Sequence, residues 1–396
     1  MRPNPYRSPA FLSPALSRRE PREDMNVSRP IQSHIVERLV TRVAFILLLV
    51  LLTPSALQAS PSSMPSRVLF DEEFSWLTRE GADRLLSRAQ AAGFDTIVPC
   101  VWHGRGVTWP SELAPREPKW DKTSTGNTDP LLYLIDRAHK MGLKVHPWFT
   151  VGLRQRDFFP EFAEAGTPEK AFNWHHAGFR SWIVALMLEL IARYDIDGIN
   201  LDYVRTKGHC TAVSCFQHYE LTQRRDLQKD LVVRAISQDA RQALANWNSQ
   251  AVGSVVERIA KEGRRLKPGL FVTIDSLAGD DLWMEQGANG LVWAHNGWID
   301  LLYHMDYGET LNAPFLSRLK KQVTDPTKVT ILIGNYETAA GSASPPVPRS
   351  AGKVQQLLVQ SRQLWAPAMV TAVYEYRFMT DEQMLVFQQD RIDFAH

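Results

Sequence analysis

Eight short apolar, β-branched runs, separated by amphipathic stretches of twelve or more residues, predict an α/β protein built as a single closed (β/α)8 barrel. The runs Thr96-Ile97-Val98 and Ile331-Leu332-Ile333 are continuously apolar, as parallel strands buried on both faces must be. An open doubly wound sheet is the alternative. No GxGxxG or GxxxxGK[ST] follows any of the runs, which takes weight from its nucleotide-binding versions.

The elements follow in order. Strands are expected at Val68–Phe70 (with a possible extension to Trp76), Thr96–Trp102, Lys144–Phe149, Gly198–Tyr203, Leu270–Asp275, Ile299–Tyr307, Lys328–Asn335 and Met369–Tyr376. Helical periodicity occupies 79–92, 129–141, 176–194, 219–266 (read as two helices), 312–323 and 350–364, with a short extra helix at 281–288. Asp129-Pro130 reads as an N-cap followed by proline at the first helical position, and Gly142 closes that helix. Gly93 closes the one before it. The Ala, Gly, Ser and Pro-rich segment 338–350 is expected to be a loop over the strand ends.

Ahead of the barrel, residues 1–59 form a separate extension, and 60–396 the barrel domain. Arg38 and Arg42 precede the apolar run Val43–Leu52, and small residues follow up to Ser60. A basic flank, an apolar run of about ten and a small-residue exit describe a secretory signal peptide, with cleavage expected near Ala59. A spanning helix needs about 20 apolar residues; a retained short anchor is the other reading. Residues 1–24 are rich in Pro, Arg and Ser, and Met25 is an alternative start. Export predicts a periplasmic or secreted protein.

The whole chain of 396 residues carries 45 basic and 43 acidic side chains. Eight and four of these lie in residues 1–59, leaving 37 against 39 in the barrel. No basic surface is indicated, which argues against a nucleic-acid partner. A body of about 330 residues buries roughly three quarters of its unfolded surface, so no metal or disulfide staple is required. No CxxC or HxxxH pair suggests a metal, and no cofactor is expected. Cys210 and Cys215 lie in one loop, where a disulfide and two free thiols are equally open; Cys100 falls in a strand.

In a (β/α)8 barrel the active site forms at the C-terminal strand ends. That rule selects Trp102, His103 and Arg105 after strand two, and His146 and Trp148 on strand three. Strand four contributes Asn200, Asp202, Tyr203 and Arg205, and strand five Asp275. His304, Asp306 and Tyr307 come from strand six, Glu337 from strand seven and Glu375 from strand eight. The set is rich in carboxylates and aromatics. Glycosidic cleavage needs two carboxyl groups, one to protonate the leaving oxygen and one to attack the sugar or activate water. Aromatic rings suit the C–H faces of sugars; Arg, His and Asn suit their hydroxyls. Asp202 stands out, because the strand around it is otherwise apolar and a carboxylate there is costly without a partner. Asp275 and Asp306 compete for the role of second carboxylate. The remaining selected residues are candidates for substrate binding.

Four segments carry a resemblance to a known family. They are Trp109–Pro115, Asp129-Pro-Leu with Ala138–Phe149, Tyr194–Arg205 and Trp298–Tyr303. In sequence, order and spacing the chain resembles the family 10 glycosyl-hydrolase-like proteins over roughly 67–380. These are TIM barrels related to the α-amylase and α-galactosidase clans. The resemblance implies a glycoside hydrolase with Asp202 as nucleophile and the acid/base on strand five or six, hence Asp275 or Asp306. The chain departs from the family at His304-Met305-Asp306-Tyr307, where Pro-Gln is usual, and at Thr206-Lys207-Gly208, where a proline is usual. Three readings follow: an exported hydrolase of a polysaccharide or envelope glycan, a non-catalytic glycan-binding barrel, and an envelope scaffold.

Overall fold

A computed structural model describes residues 64–123, 129–155, 158–338, 345–365 and 370–394. The apolar run 43–52 and the expected cleavage point lie outside them. Among the described residues no helix is long and apolar enough to cross a membrane.

Eight parallel strands close into a barrel. They are β1 (Arg67–Asp71), β2 (Thr96–Trp102), β3 (Lys144–Val145 and Trp148–Thr150), β4 (Gly198–Asp202), β5 (Phe271–Ser276), β6 (Leu301–Asp306), β7 (Val329–Gly334) and β8 (Thr371–Tyr374). Each pairs with the next, and β8 pairs with β1, so no edge is left open. The expected strands are all present: β2 has the expected bounds, β1 is longer by a residue at each end, β5 is shifted by one residue, and β4, β6, β7 and β8 are trimmed at their ends. Strand three is interrupted at His146-Pro147. Pro147 has no N–H for the ladder, but its carbonyl still accepts from the amide of Asn200 at 2.9 Å.

Register decides which side chains face inward. Trp148 pairs with Asn200, Asn200 with Thr273, and Thr273 with Leu301. Alternation then puts Asn200, Asp202, Thr273, Asp275 and Tyr303 on the inner face of the barrel. Phe70, Trp148 and Tyr303 fill its centre. Phe70 meets Trp148 edge-on at 5.7 Å and Tyr303 edge-on at 5.2 Å between ring centroids. The same alternation turns Trp102, His304 and Asp306 toward the surrounding helices.

The helices show the expected caps. Asp129 accepts from the amide of Leu132 at 3.0 Å, with Pro130 at the first helical position. The stretch 219–266 departs from the two-helix expectation. Helices occupy Val213–Gln223, Leu227–Val233 and Gln238–Arg258, and the last runs on through a π turn at Ile259–Gly263 to Leu266. Polar N-caps create the breaks. Asp226 accepts from the Lys229 amide at 3.0 Å and Ser237 from the Ala240 amide at 3.2 Å. These helices enclose a second small core of Tyr219, Leu227, Leu244 and Trp247 around Cys210 and Cys215. The two cysteines form a disulfide, with Cα atoms 6.0 Å apart; Cys100 is free and buried. A final helix, Asp381–Phe394, was not expected. It covers the start of β1, where Asp390 pairs with buried Arg67 at 2.8 Å.

Candidate active site at the strand ends

The site is built around the end of β4. Its last residue, Asp202, is buried, with its carboxylate accepting from the amide of Tyr203 at 2.6 Å. That bond is possible because the chain turns sharply there: Tyr203 adopts a left-handed φ of 52°. A non-glycine residue in that region carries backbone strain. Leu201 pairs with Ile274, so Asp202 and Asp275 are the next residues along adjacent strands. Asn200 sits below them and donates to Asp275 Oδ1 at 3.1 Å and to Thr273 Oγ1 at 2.9 Å.

Burial dominates the electrostatics of this pair. It pushes the Asp202 carboxyl up to about 7, aided by the negative charge of Glu72 and opposed by the Tyr203 amide, Arg205 and His103. Asp275 is raised well above the usual carboxylate range, first by burial and then by Asp202, with the Asn200 amide opposing. Two carboxyl groups side by side in a dry site cannot both ionise cheaply.

The structure adds a third carboxylate that the strand-end reading missed. Glu72 follows β1 directly, and its side chain is 29% exposed. His103 Nε2 lies 3.2 Å from Glu72 Oε1, and Tyr374 donates its hydroxyl to Oε2. Gln155 holds the other ring nitrogen of His103 at 2.9 Å. Despite partial burial, these two hydrogen bonds hold Glu72 below its ordinary value. Tyr374 stacks on Tyr307 at 5.1 Å and meets Trp148 edge-on at 6.2 Å. Burial, and then Asp275, Asp202 and Glu72, raise the Tyr307 phenol. Arg205 lies over Trp283 at 3.9 Å and donates to Gln286 at 3.0 Å. Glu72 was legible in principle: the run Val68–Phe70 ends in Asp71-Glu72-Glu73, but the open extension to Trp76 obscured that end.

The other selected residues are placed elsewhere. His146 lies low in the barrel beside Gly198, the first residue of β4. A Cβ on Gly198 would sit 2.7 Å from its Nε2. Burial drops the His146 ring to about 4, and neither nitrogen has a hydrogen-bond partner among the described residues. It therefore does not reach the strand-end face. His304 points outward and stacks on Phe315 at 5.3 Å; burial lowers it to about 4 as well. Trp102 also points outward, into Phe159, Phe172 and Trp182. Arg105 is committed to fully buried Glu117, at 2.6 to 2.9 Å. Glu337 is exposed on a short hairpin. Glu375 is buried between the Glu72 amide at 3.1 Å and Arg377 at 2.9 Å, and burial pushes it up to about 8.

Asp306 closes the turn after β6 instead of facing Asp275. Its carboxylate accepts from the amides of Asn312 at 2.7 Å and Gly308 at 3.4 Å. Asp306→Asn should therefore leave kcat within a few-fold of wild type, while Asp275→Asn reduces it by orders of magnitude. Initial rates on any glycan the wild type cleaves separate the two. Among the described residues no cluster of His, Cys, Asp and Glu has the makings of a metal site.

Inward carboxyl groups, with aromatic rings around them, thus gather at the strand ends of a (β/α)8 barrel. The match to the family model Glycosyl hydrolase-like 10 covers residues 71–165 and 161–346, and the chain belongs to that family. It is similar to Glycosyl hydrolase DigH of Escherichia coli strain K12, 25% identical over 154 residues, covering 30% of this chain and 32% of that protein. It is also similar to Glycosyl hydrolase YngK of Bacillus subtilis strain 168, 22% identical over 206 residues, covering 47% of this chain and 37% of that one. The chain thus spans only about a third of the length of these relatives. Two solved structures share the fold at a TM-score of 0.57. Alpha-L-fucosidase isoenzyme 2 from Paenibacillus thiaminolyticus is 16% identical, over 83% of this chain and 49% of that one. The glycoside hydrolase domain of PgaB (BpsB) from Bordetella bronchiseptica is 12% identical, over 84% and 97%.

Proposed function

We propose that the protein is an exported glycoside hydrolase that cleaves O-glycosidic bonds in a polysaccharide or envelope glycan. Asp202 is the nucleophile and Asp275 the acid/base. The observation that carries this reading is the pair of inward carboxyl groups on adjacent strands, both pushed upward by burial. Neighbouring strands lie about 4.8 Å apart, which suits the roughly 5 Å carboxyl separation of retaining hydrolases. In the first step Asp202 forms a bond to the anomeric carbon as the glycosidic C–O bond breaks. The proton of Asp275 goes to the leaving oxygen. In the second, water attacks the same carbon, gives its proton to Asp275 and releases Asp202. Tyr307 and Tyr374 offer ring faces to the sugar, and the Arg205 guanidinium offers donors to its hydroxyls.

The test is digestion of a glycan panel, read by reducing-end release. Release that depends on Asp275 supports the reading; binding without product would instead favour a glycan-binding barrel. The pH dependence has a definite sign. Asp202 must be ionised to attack, and burial holds its midpoint at about 7. The kcat/KM should rise through that pH and lie about tenfold below its plateau at pH 6. A profile flat from pH 5 to 8 would remove Asp202 as the attacking group.

Export is supported by the apolar run 43–52 and by the Cys210–Cys215 disulfide, a bond typical of oxidising compartments. Intact mass with and without reductant, after thiol alkylation, should show one thiol labelled in the oxidised protein and three after reduction. Fractionation of cells tests the location itself.

A further inference from the structure

We propose that Arg205 and Lys207 form an anion subsite beside Asp202 that takes the carboxylate of a uronic acid unit in the glycan; this rests on the glycosidase reading and names its substrate class. The geometry lies in one short loop. Tyr203 follows Asp202 directly and donates its amide to that carboxylate at 2.6 Å. The guanidinium carbon of Arg205 lies over the Tyr203 ring, 5.4 Å from its centre, and Lys207 Nζ lies over the same ring at 5.1 Å. Two cations therefore gather on one ring, a single residue along the chain from Asp202.

The loop is pinned from both sides. After β5, Gln286 accepts from the Thr206 amide at 3.0 Å through its carbonyl and from Arg205 at 3.0 Å through its side chain, while the Arg205 guanidinium lies over Trp283 at 3.9 Å. After β3, the carbonyl of Lys170 accepts from Lys207 Nζ at 3.2 Å. The backbone is strained where it presents the lysine. Lys207 has a left-handed φ of 59° and Gly208 a φ of 141°, which no proline can take. Strain held at a non-glycine residue points to a functional constraint.

Gathering like charges has a cost of its own. Lys207 is half-buried, and among the described residues no carboxylate forms an ion pair with it. Burial, and then Arg205 and Lys170, lower its ammonium to about 8, with Asp202 and Glu169 opposing. Cations grouped in this way raise the local concentration of an anionic ligand. Their chemistry selects a carboxylate: the planar arginine fork matches its two oxygens, and the lysine adds a point charge. A uronic acid carries that group directly on the sugar ring. Arg205 also serves a neutral sugar through its hydroxyls, so Lys207 is the residue that makes the site selective for charge.

The test measures binding by calorimetric titration on an Asp202→Asn background, so that no probe is cleaved. The probes are polyglucuronate, polygalacturonate and polymannuronate, each beside its carboxyl-reduced neutral form, with dextran sulfate as a polyanion lacking carboxylates. At least one uronate polymer should bind about tenfold or more tightly than its reduced form, the scale of a hydrogen bond to a charged group. Adding Lys207→Gln should remove most of that preference, and Lys207→Arg should keep it. Lys229→Gln removes the same charge from an exposed position on the helix Leu227–Val233 and should leave the preference intact. The proposal is overturned if no uronate polymer binds, if the reduced form or dextran sulfate binds equally well, or if Lys229→Gln weakens binding as much as Lys207→Gln. Should Lys207→Gln not fold, the comparison of each polymer with its reduced form decides alone. Uronate binding by a wild type that releases no reducing ends keeps the subsite and removes the hydrolase reading. Cleavage of a neutral glycan with no uronate preference removes the subsite and keeps the hydrolase.

Discussion

Asp202→Asn is expected to lower the rate of glycan cleavage by roughly 10⁴-fold or more, the scale on which loss of a central catalytic group acts. The same substitution should make the protein more stable at neutral and alkaline pH. The carboxyl is buried, and its folded-state midpoint is raised from 3.8 to about 7. Between those values the folded protein keeps a proton that the unfolded chain releases. Stability therefore falls as pH rises through that window, and the loss is complete above about 7. Asparagine carries no charge and retains an oxygen for the Tyr203 amide. Urea unfolding at pH 8 should favour Asp202→Asn by a few kcal/mol, with the advantage fading toward pH 4. An inactive variant less stable than wild type at pH 8 would mean that the carboxylate holds the fold, not the chemistry.

Trp102→Ala should destabilise the protein by about 3–5 kcal/mol, the cost of emptying a large aromatic site in a core. Trp102 is fully buried. Its ring centroid lies 5.5 Å from Phe159, 5.5 Å from Trp182 and 6.4 Å from Phe172. The side chain thus locks β2 to the loop and helix that follow β3. Because it faces away from Asp202, the surviving folded fraction should bind glycan with an unchanged KM. Denaturant midpoint and KM measured together decide it. Full stability with a raised KM would return Trp102 to the substrate site.

The barrel was legible because parallel strands buried on both faces must be apolar, and the helices between them must be amphipathic. Both patterns are local. The placement of Asp202 at the end of β4 follows from the same count. The helical stretch 219–266 was harder: its apolar spacing runs on through Asp226 and Ser237, and only their capping bonds show where one helix stops. Family resemblance narrowed the second carboxylate to Asp275 or Asp306 without choosing between them.

Residue type and strand number were thus readable from the chain itself, as was the carboxylate-rich character of the strand ends. What required the tertiary structure was facing and depth. A strand turns alternate side chains to opposite faces, so a start misjudged by one residue inverts every assignment on it. Tyr303 and Tyr307 therefore face the barrel interior and mouth, while His304 and Asp306 beside them do not. Depth is equally hidden: His146 lies on an inward position but opposite Gly198, at the wrong end of the barrel. Glu72 meets His103 across 31 residues of sequence and Tyr374 across 302. No local pattern records contacts of that range: the pairing of β1 with β2 creates the first, and closure of β8 onto β1 the second.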